Sequence, residues 1–137
     1  MTVRFVDTNI LLYAISTDPG EADKAELARH LLGETDLALS VQVLQEFYVQ
    51  ATRAGKANPL THEQAAALVE SFTRFRVQDL TLAVVRAALR TRSRYNLSYW
   101  DSAIIEAARA LGCRTVISED LNHGQDYGGV TVVNPFA

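Results

Sequence analysis

Apolar residues first gather in a short run, Val3 to Val6, too short for a helix and built from Val and Phe, so it predicts a buried strand that stops at Asp7. A helical pattern begins at Asn9. Asp18-Pro19-Gly20 is a turn, after which Glu21 to Leu32 sets Ala and Leu among charged residues at helical spacing and ends at Gly33. Leu37 to Leu39 predicts a second short strand. The stretch VQVLQEFYVQATRAG, 41–55, then predicts a helix with Val43 and Phe47 on its apolar side and Glu46 within it. Thr61 and Gln64 have capping-box spacing and open a helix to about Phe75, with Arg76 to Gln78 as a weak third strand.

In the next helix Leu82, Val85 and Leu89 form the apolar stripe, while Arg86, Arg90 and Arg94 recur on another face. Ser98 caps the following one, YWDSAIIEAARAL, which ends at Gly112, carries Asp101 in its first turn and is expected to pack Trp100 in the core. Thr115 to Ser118 is a clear strand followed at once by Glu119 and Asp120. A polar, glycine-rich loop precedes the last strand, Val130 to Val133. Strands alternating with helices imply right-handed crossovers, hence an α/β fold with a mainly parallel sheet covered on both faces.

The 137 residues fit one domain spanning 1–137, with 48% apolar residues to fill a core. One cysteine, Cys113, rules out an internal disulfide and favours a reducing, cytoplasmic setting. No long apolar stretch suggests a membrane span or signal peptide. The net charge of −3 means that a polyanionic partner must be met by a local patch or a bound cation.

Ligands of open parallel sheets bind beyond the carboxyl ends of the strands, where strand order reverses. Asp7 and Asp120 each follow a predicted strand at that end. A helix that leads into a strand starts at the same edge, which brings Asp101 there, and Glu46 joins if its side chain reaches back up its helix. Like charges about 4 Å apart cost roughly 4 kcal/mol at an effective dielectric of 20, so four such carboxylates call for a countercharge. A hard divalent cation, Mg²⁺ or Mn²⁺, suits oxygen ligands, and the lack of clustered His or Cys disfavours zinc. Such a site could hydrolyse a phosphodiester bond. Simpler roles stand beside this one: a turn or cap for Asp7, the N3 partner of Ser98 for Asp101, a solvated helix position for Glu46.

Four segments in order, VDTNILLY, QEFY, LSYWDSAI and ISEDLNHG, together resemble a PIN domain, most similar to the VapC toxins of bacterial toxin–antitoxin pairs. The resemblance implies a three-layer α/β/α Rossmann-like sandwich with a five-stranded sheet in the order 3-2-1-4-5, and a Mg²⁺- or Mn²⁺-dependent ribonuclease. It implies Asp7, Glu46, Asp101 and Asp120 as the catalytic acids, with Asp7, Asp101 and Asp120 holding the metal. Ser118, Thr8 and Asn9 match its supporting polar positions, and its pattern selects Asp120 over Glu119. It further implies an RNA substrate, a small antitoxin partner and a homodimer. A haloacid-dehalogenase-like phosphatase expects a second Asp where Asn9 stands and a late Lys, and no lysine follows Lys56. The alternative of a different class is a PIN-like module that binds RNA or protein without cutting. Arg86, Arg90 and Arg94 could track a phosphate backbone, and His123 could touch substrate.

Overall fold

A computed structural model describes residues 2–137. Its strands are β1 (Arg4–Val6), β2 (Leu37–Ser40), β3 (Arg76–Gln78), β4 (Thr115–Ile117) and β5 (Thr131–Val133). The helices are α1 (Thr8–Ala14), α2 (Ala22–Leu32), α3 (Val41–Ala51), α4 (His62–Phe72), α5 (Leu82–Tyr95) and α6 (Tyr99–Ala110), with a 3₁₀ turn at Pro19–Glu21. The five strands pair in parallel in the order β3-β2-β1-β4-β5.

This order follows from handed connections. Two right-handed crossovers carry the chain outward from β1 to β2 and β3, which puts α1 to α4 on one face. The return crossover runs the other way, so α5 and α6 cover the opposite face and β4 lands beside β1. Contacts agree: α1 packs on α2 and α3, α3 on α4, and α5 on α6, which lies against β2, β3 and β4. The central strands β1, β2 and β4 are largely buried, with Phe5 and Val116 fully enclosed between the layers, while the edge strands β3 and β5 are partly open.

Local chemistry sets the helix ends that matter for the cleft. Ser40, at the end of β2, accepts from Val43 N and starts α3 without a loop. Thr61 and Gln64 form the expected capping box. Asn96 adopts a left-handed conformation (φ 55°) at the end of α5, which allows a short link to Ser98 and α6. At the far end of α6, Gly112 (φ 78°) lets Cys113 N reach Ala108 O and Gly112 N reach Arg109 O, a Schellman closure that delivers the chain into β4.

The apolar stripe expected on α5 is corrected by the structure. Leu82 and Leu89 are exposed, whereas Val84, Ala88 and Thr91 are the buried residues. Thr91 Oγ1 donates to the buried carboxylate of Glu106 on α6 at 2.7 Å, and Arg109 Nε approaches the same carboxylate at 2.9 Å. The smaller face of α5 lets it lie close to α6. Helices α3 and α4 also stop earlier than expected, at Ala51 and Phe72, with turns in place of the last residues. Among the described residues, no helix is long and apolar enough to cross a membrane.

Candidate active site

Parallel pairing of β1 with β4 sets Val6 opposite Ile117, so the residues that follow, Asp7 and the segment Ser118 to Asp120, leave the sheet side by side. Asp7 ends β1 and caps α1: its Oδ1 accepts from Thr8 N at 2.7 Å. Its other oxygen, Oδ2, accepts from Ser118 Oγ at 2.8 Å. The same hydroxyl accepts from Asp120 N at 3.1 Å and from Asn9 Nδ2 at 3.2 Å, so one donor and two acceptor capacities are all in use. Ser118 is fully buried and thus acts as a hub tying β1, α1 and the end of β4 together.

The remaining acids arrive from helices that begin at this edge. Glu46, in the second turn of α3, accepts from Thr8 Oγ1 at 2.8 Å. Asp101 sits in the first turn of α6, where Ser98 Oγ accepts from its backbone N–H at 3.1 Å and leaves its carboxylate to the cleft. Asn9 Nδ2 donates to Asp120 Oδ2 at 3.1 Å. Asp7, Glu46, Asp101 and Asp120 line one cleft of about 130 Å³, together with Thr8, Asn9, Leu12, Gln42, Gln50, Trp100 and Ile104.

Glu119 turns the other way. Lys24 on α2 and Tyr13 on α1 both donate to its carboxylate, and against the opposing effect of burial they hold it below the usual carboxylate range. Its backbone N–H meanwhile donates to Asn9 Oδ1 at 3.2 Å, which fixes the turn that presents Asp120.

Burial pushes the Asp7 carboxyl up to about 6, against the lowering effects of the Ser118 and Thr8 bonds and with the help of the Glu46 and Asp120 charges. Asp101 is also raised, first by burial and in lesser part by Asp120, against the lowering effect of the Ser98 hydroxyl on its carboxylate. The cleft therefore favours positive charge. Its donors are all oxygen, the chemistry of a hard cation such as Mg²⁺ or Mn²⁺. Among the described residues no three His, Cys, Asp or Glu side chains approach closely enough to grip an ion by themselves. That spacing still fits Mg²⁺, which binds through one or two carboxylates and keeps several waters.

Two further candidates, left undecided by the sequence, lie elsewhere. Arg86, Arg90 and Arg94 are exposed on α5, and none of them lines the cleft. His123 is exposed and its Nδ1 accepts from Asn134 N at 2.9 Å, also away from the acids. Trp100, expected in the core, is instead 63% exposed at the cleft wall. Gln42 and Gln50 line the cleft without having been singled out in the sequence. The signal for Gln42 was its place just past the carboxyl end of β2, in the first turn of α3.

The family model described as PIN domain matches residues 4–125. The chain belongs to the PIN domain family. No curated protein matches its sequence. Its fold is similar to that of a toxin–antitoxin complex from Klebsiella pneumoniae, at 20% identity and a TM-score of 0.69 over 96% of this chain and 97% of that one. FitAcB from Neisseria gonorrhoeae is similar at 19% identity and a TM-score of 0.68, covering 98% of this PIN domain and 99% of that chain. VapC20 of Mycobacterium tuberculosis, a sarcin-ricin loop cleaving toxin, is similar at 20% identity and a TM-score of 0.65, over 85% and 91% of the two chains. At such identities the likeness establishes a shared PIN fold.

Proposed function

We propose that this PIN domain is an endoribonuclease that hydrolyses RNA phosphodiester bonds with Mg²⁺ or Mn²⁺, and that it is the toxin of a toxin–antitoxin pair. The observation that carries the reading is the convergence of Asp7, Glu46, Asp101 and Asp120 on one small polar cleft. Asp7, Asp101 and Asp120 would hold the ion, one or two of them directly and the rest through its waters. When bound, it supplies charge neutralisation at a phosphoryl oxygen and a water of lowered pKa. The protein's own part is orientation. Ser118 and Thr8 aim the two oxygens of Asp7, Asn9 aims Asp120, and Glu46, held by Thr8, positions the ion or the attacking water.

Similar folds in toxin–antitoxin complexes support a small antitoxin protein as partner. A homodimer and a cytoplasmic location belong to the same reading. Incubating the purified protein with a mixed RNA pool, with and without Mg²⁺ or Mn²⁺, tests it. New RNA ends that require the metal and vanish in Asp101→Asn are expected. Binding of RNA with no cleavage in any metal would point instead to a PIN-like binding module.

A further inference from the structure

Trp100 is the most exposed large apolar side chain among the described residues, at 63%, yet it stands in the first turn of α6 beside Asp101. An indole left open to water at a cleft rim is a contact surface in search of a flat apolar partner. Two hollows meet at this ring. One is the acidic cleft of about 130 Å³, and the other, of about 290 Å³, is lined by Gln42, Gln45, Glu46, Val49, Gln50 and Trp100. Gln42, Glu46, Gln50 and Trp100 line both, so the two hollows are continuous.

The ring is also held in place. Tyr99 meets it edge-on, with centroids 5.2 Å apart at 80°, and Gln42 Nε2 donates to the Trp100 carbonyl at 3.3 Å. The second hollow has no Lys or Arg in its lining and carries Glu46 on its border, so it does not suit a phosphate. It offers an aromatic face, the apolar Val49 and the exposed amides of Gln45 and Gln50, each both donor and acceptor. Those are the groups that take an unstacked nucleobase.

We infer that Trp100 is the platform on which the protein stacks one base of single-stranded RNA, with the adjoining phosphate directed to the carboxylates. The inference rests on the proposed nuclease reading and adds a binding subsite to it. Trp100 acts in positioning: the base fixes the strand so that the phosphate lies over the acids.

Trp100 is the only tryptophan of the chain, so its emission reports on this ring alone. The whole protein is titrated in Ca²⁺ with a short single-stranded oligoribonucleotide and with an abasic oligomer of the same backbone. Quenching by the first and not the second is expected. In cleavage assays with Mg²⁺ or Mn²⁺, Trp100→Ala should raise KM roughly 5- to 100-fold with a smaller change in kcat, and Trp100→Phe should recover most of the loss. Equal quenching by the abasic oligomer, or unchanged KM in an active Trp100→Ala, overturns the inference and assigns the ring to a protein partner. Base-dependent quenching without cleavage by the wild type supports the platform while overturning the nuclease reading.

Discussion

The Ser118 hydroxyl donates to Asp7 Oδ2 at 2.8 Å across 111 positions of sequence, and this bond joins the ends of two adjacent parallel strands. It offsets part of the burial that raises Asp7 to about 6, but only part. Because the folded pKa lies above the ordinary 3.8, folding takes up a proton between these values. The contribution of Asp7 to stability is thus present below about pH 4 and lost as pH rises through about 6, with a swing of about 3 kcal/mol.

Asp7→Asn should remove that swing. In EDTA near pH 7 the variant is expected to be more stable than wild type by up to about 3 kcal/mol, less the lost Ser118 bond, and the gap should close towards about pH 4. Urea unfolding across pH measures it. Cleavage by the folded variant should drop to the metal-free background, and wild-type activity would sink the assignment of Asp7.

Added Mg²⁺ should raise the melting temperature of the wild type, because ligand that binds only the folded state stabilises it by about 2.7 kcal/mol at 100 times Kd. The rise should be larger near pH 8 than near pH 5, since the ion competes with the proton on Asp7. Differential scanning fluorimetry at the two pH values reads the difference. A rise that is independent of pH would place the ion elsewhere.

Asp120 and Glu119 are neighbours with opposite surroundings, and the pair offers a clean contrast. Asp120→Asn should abolish cleavage, whereas Glu119→Gln should retain it and lower the melting temperature slightly through the weakened ties to Lys24 and Tyr13. Rates normalised to folded protein decide between them. Loss of activity in Glu119→Gln with retention in Asp120→Asn would reverse the assignment.

Thr8 touches two of the acids at once, Asp7 through its N–H and Glu46 through its hydroxyl. Thr8→Val keeps the first contact and removes the second. A loss of activity of roughly 10- to 100-fold is expected, the scale seen when a group that orients a metal-site carboxylate is removed. Unchanged kinetics would mean that Glu46 needs no such support.

A mainly parallel sheet and the placing of the acids at its carboxyl edge could be anticipated from coarse features of the sequence, namely short β-rich runs and helix starts. The strand order that makes β1 and β4 neighbours was implied only by the resemblance. The side-chain surroundings of α5 and Trp100 could not be anticipated. Along α5, Leu82, Val85 and Leu89 compete with Val84, Ala88 and Thr91 for the same helical period, and the smaller set wins because α6 packs against it. Hydrophobicity favours the larger set; close approach of two helices favours the smaller. Trp100 reads as core for the same reason, yet the first turn of α6 stands at the open cleft. The hub role of Ser118 was suggested only by resemblance, since no periodicity predicts which hydroxyl will meet a carboxylate 111 residues away.

That separation has a consequence for when the cleft comes into being. Strand β1 leaves the ribosome well before β4, so it must wait for β4 before Asp7 gains its neighbour, and the intervening chain supplies Glu46 and Asp101 on the way. A nascent chain that ends short of Ser118 holds three of the four acids but lacks the hydroxyl that fixes Asp7 Oδ2. Assembly of the cleft is therefore timed by topology: it waits until β4 has been made and has paired with β1.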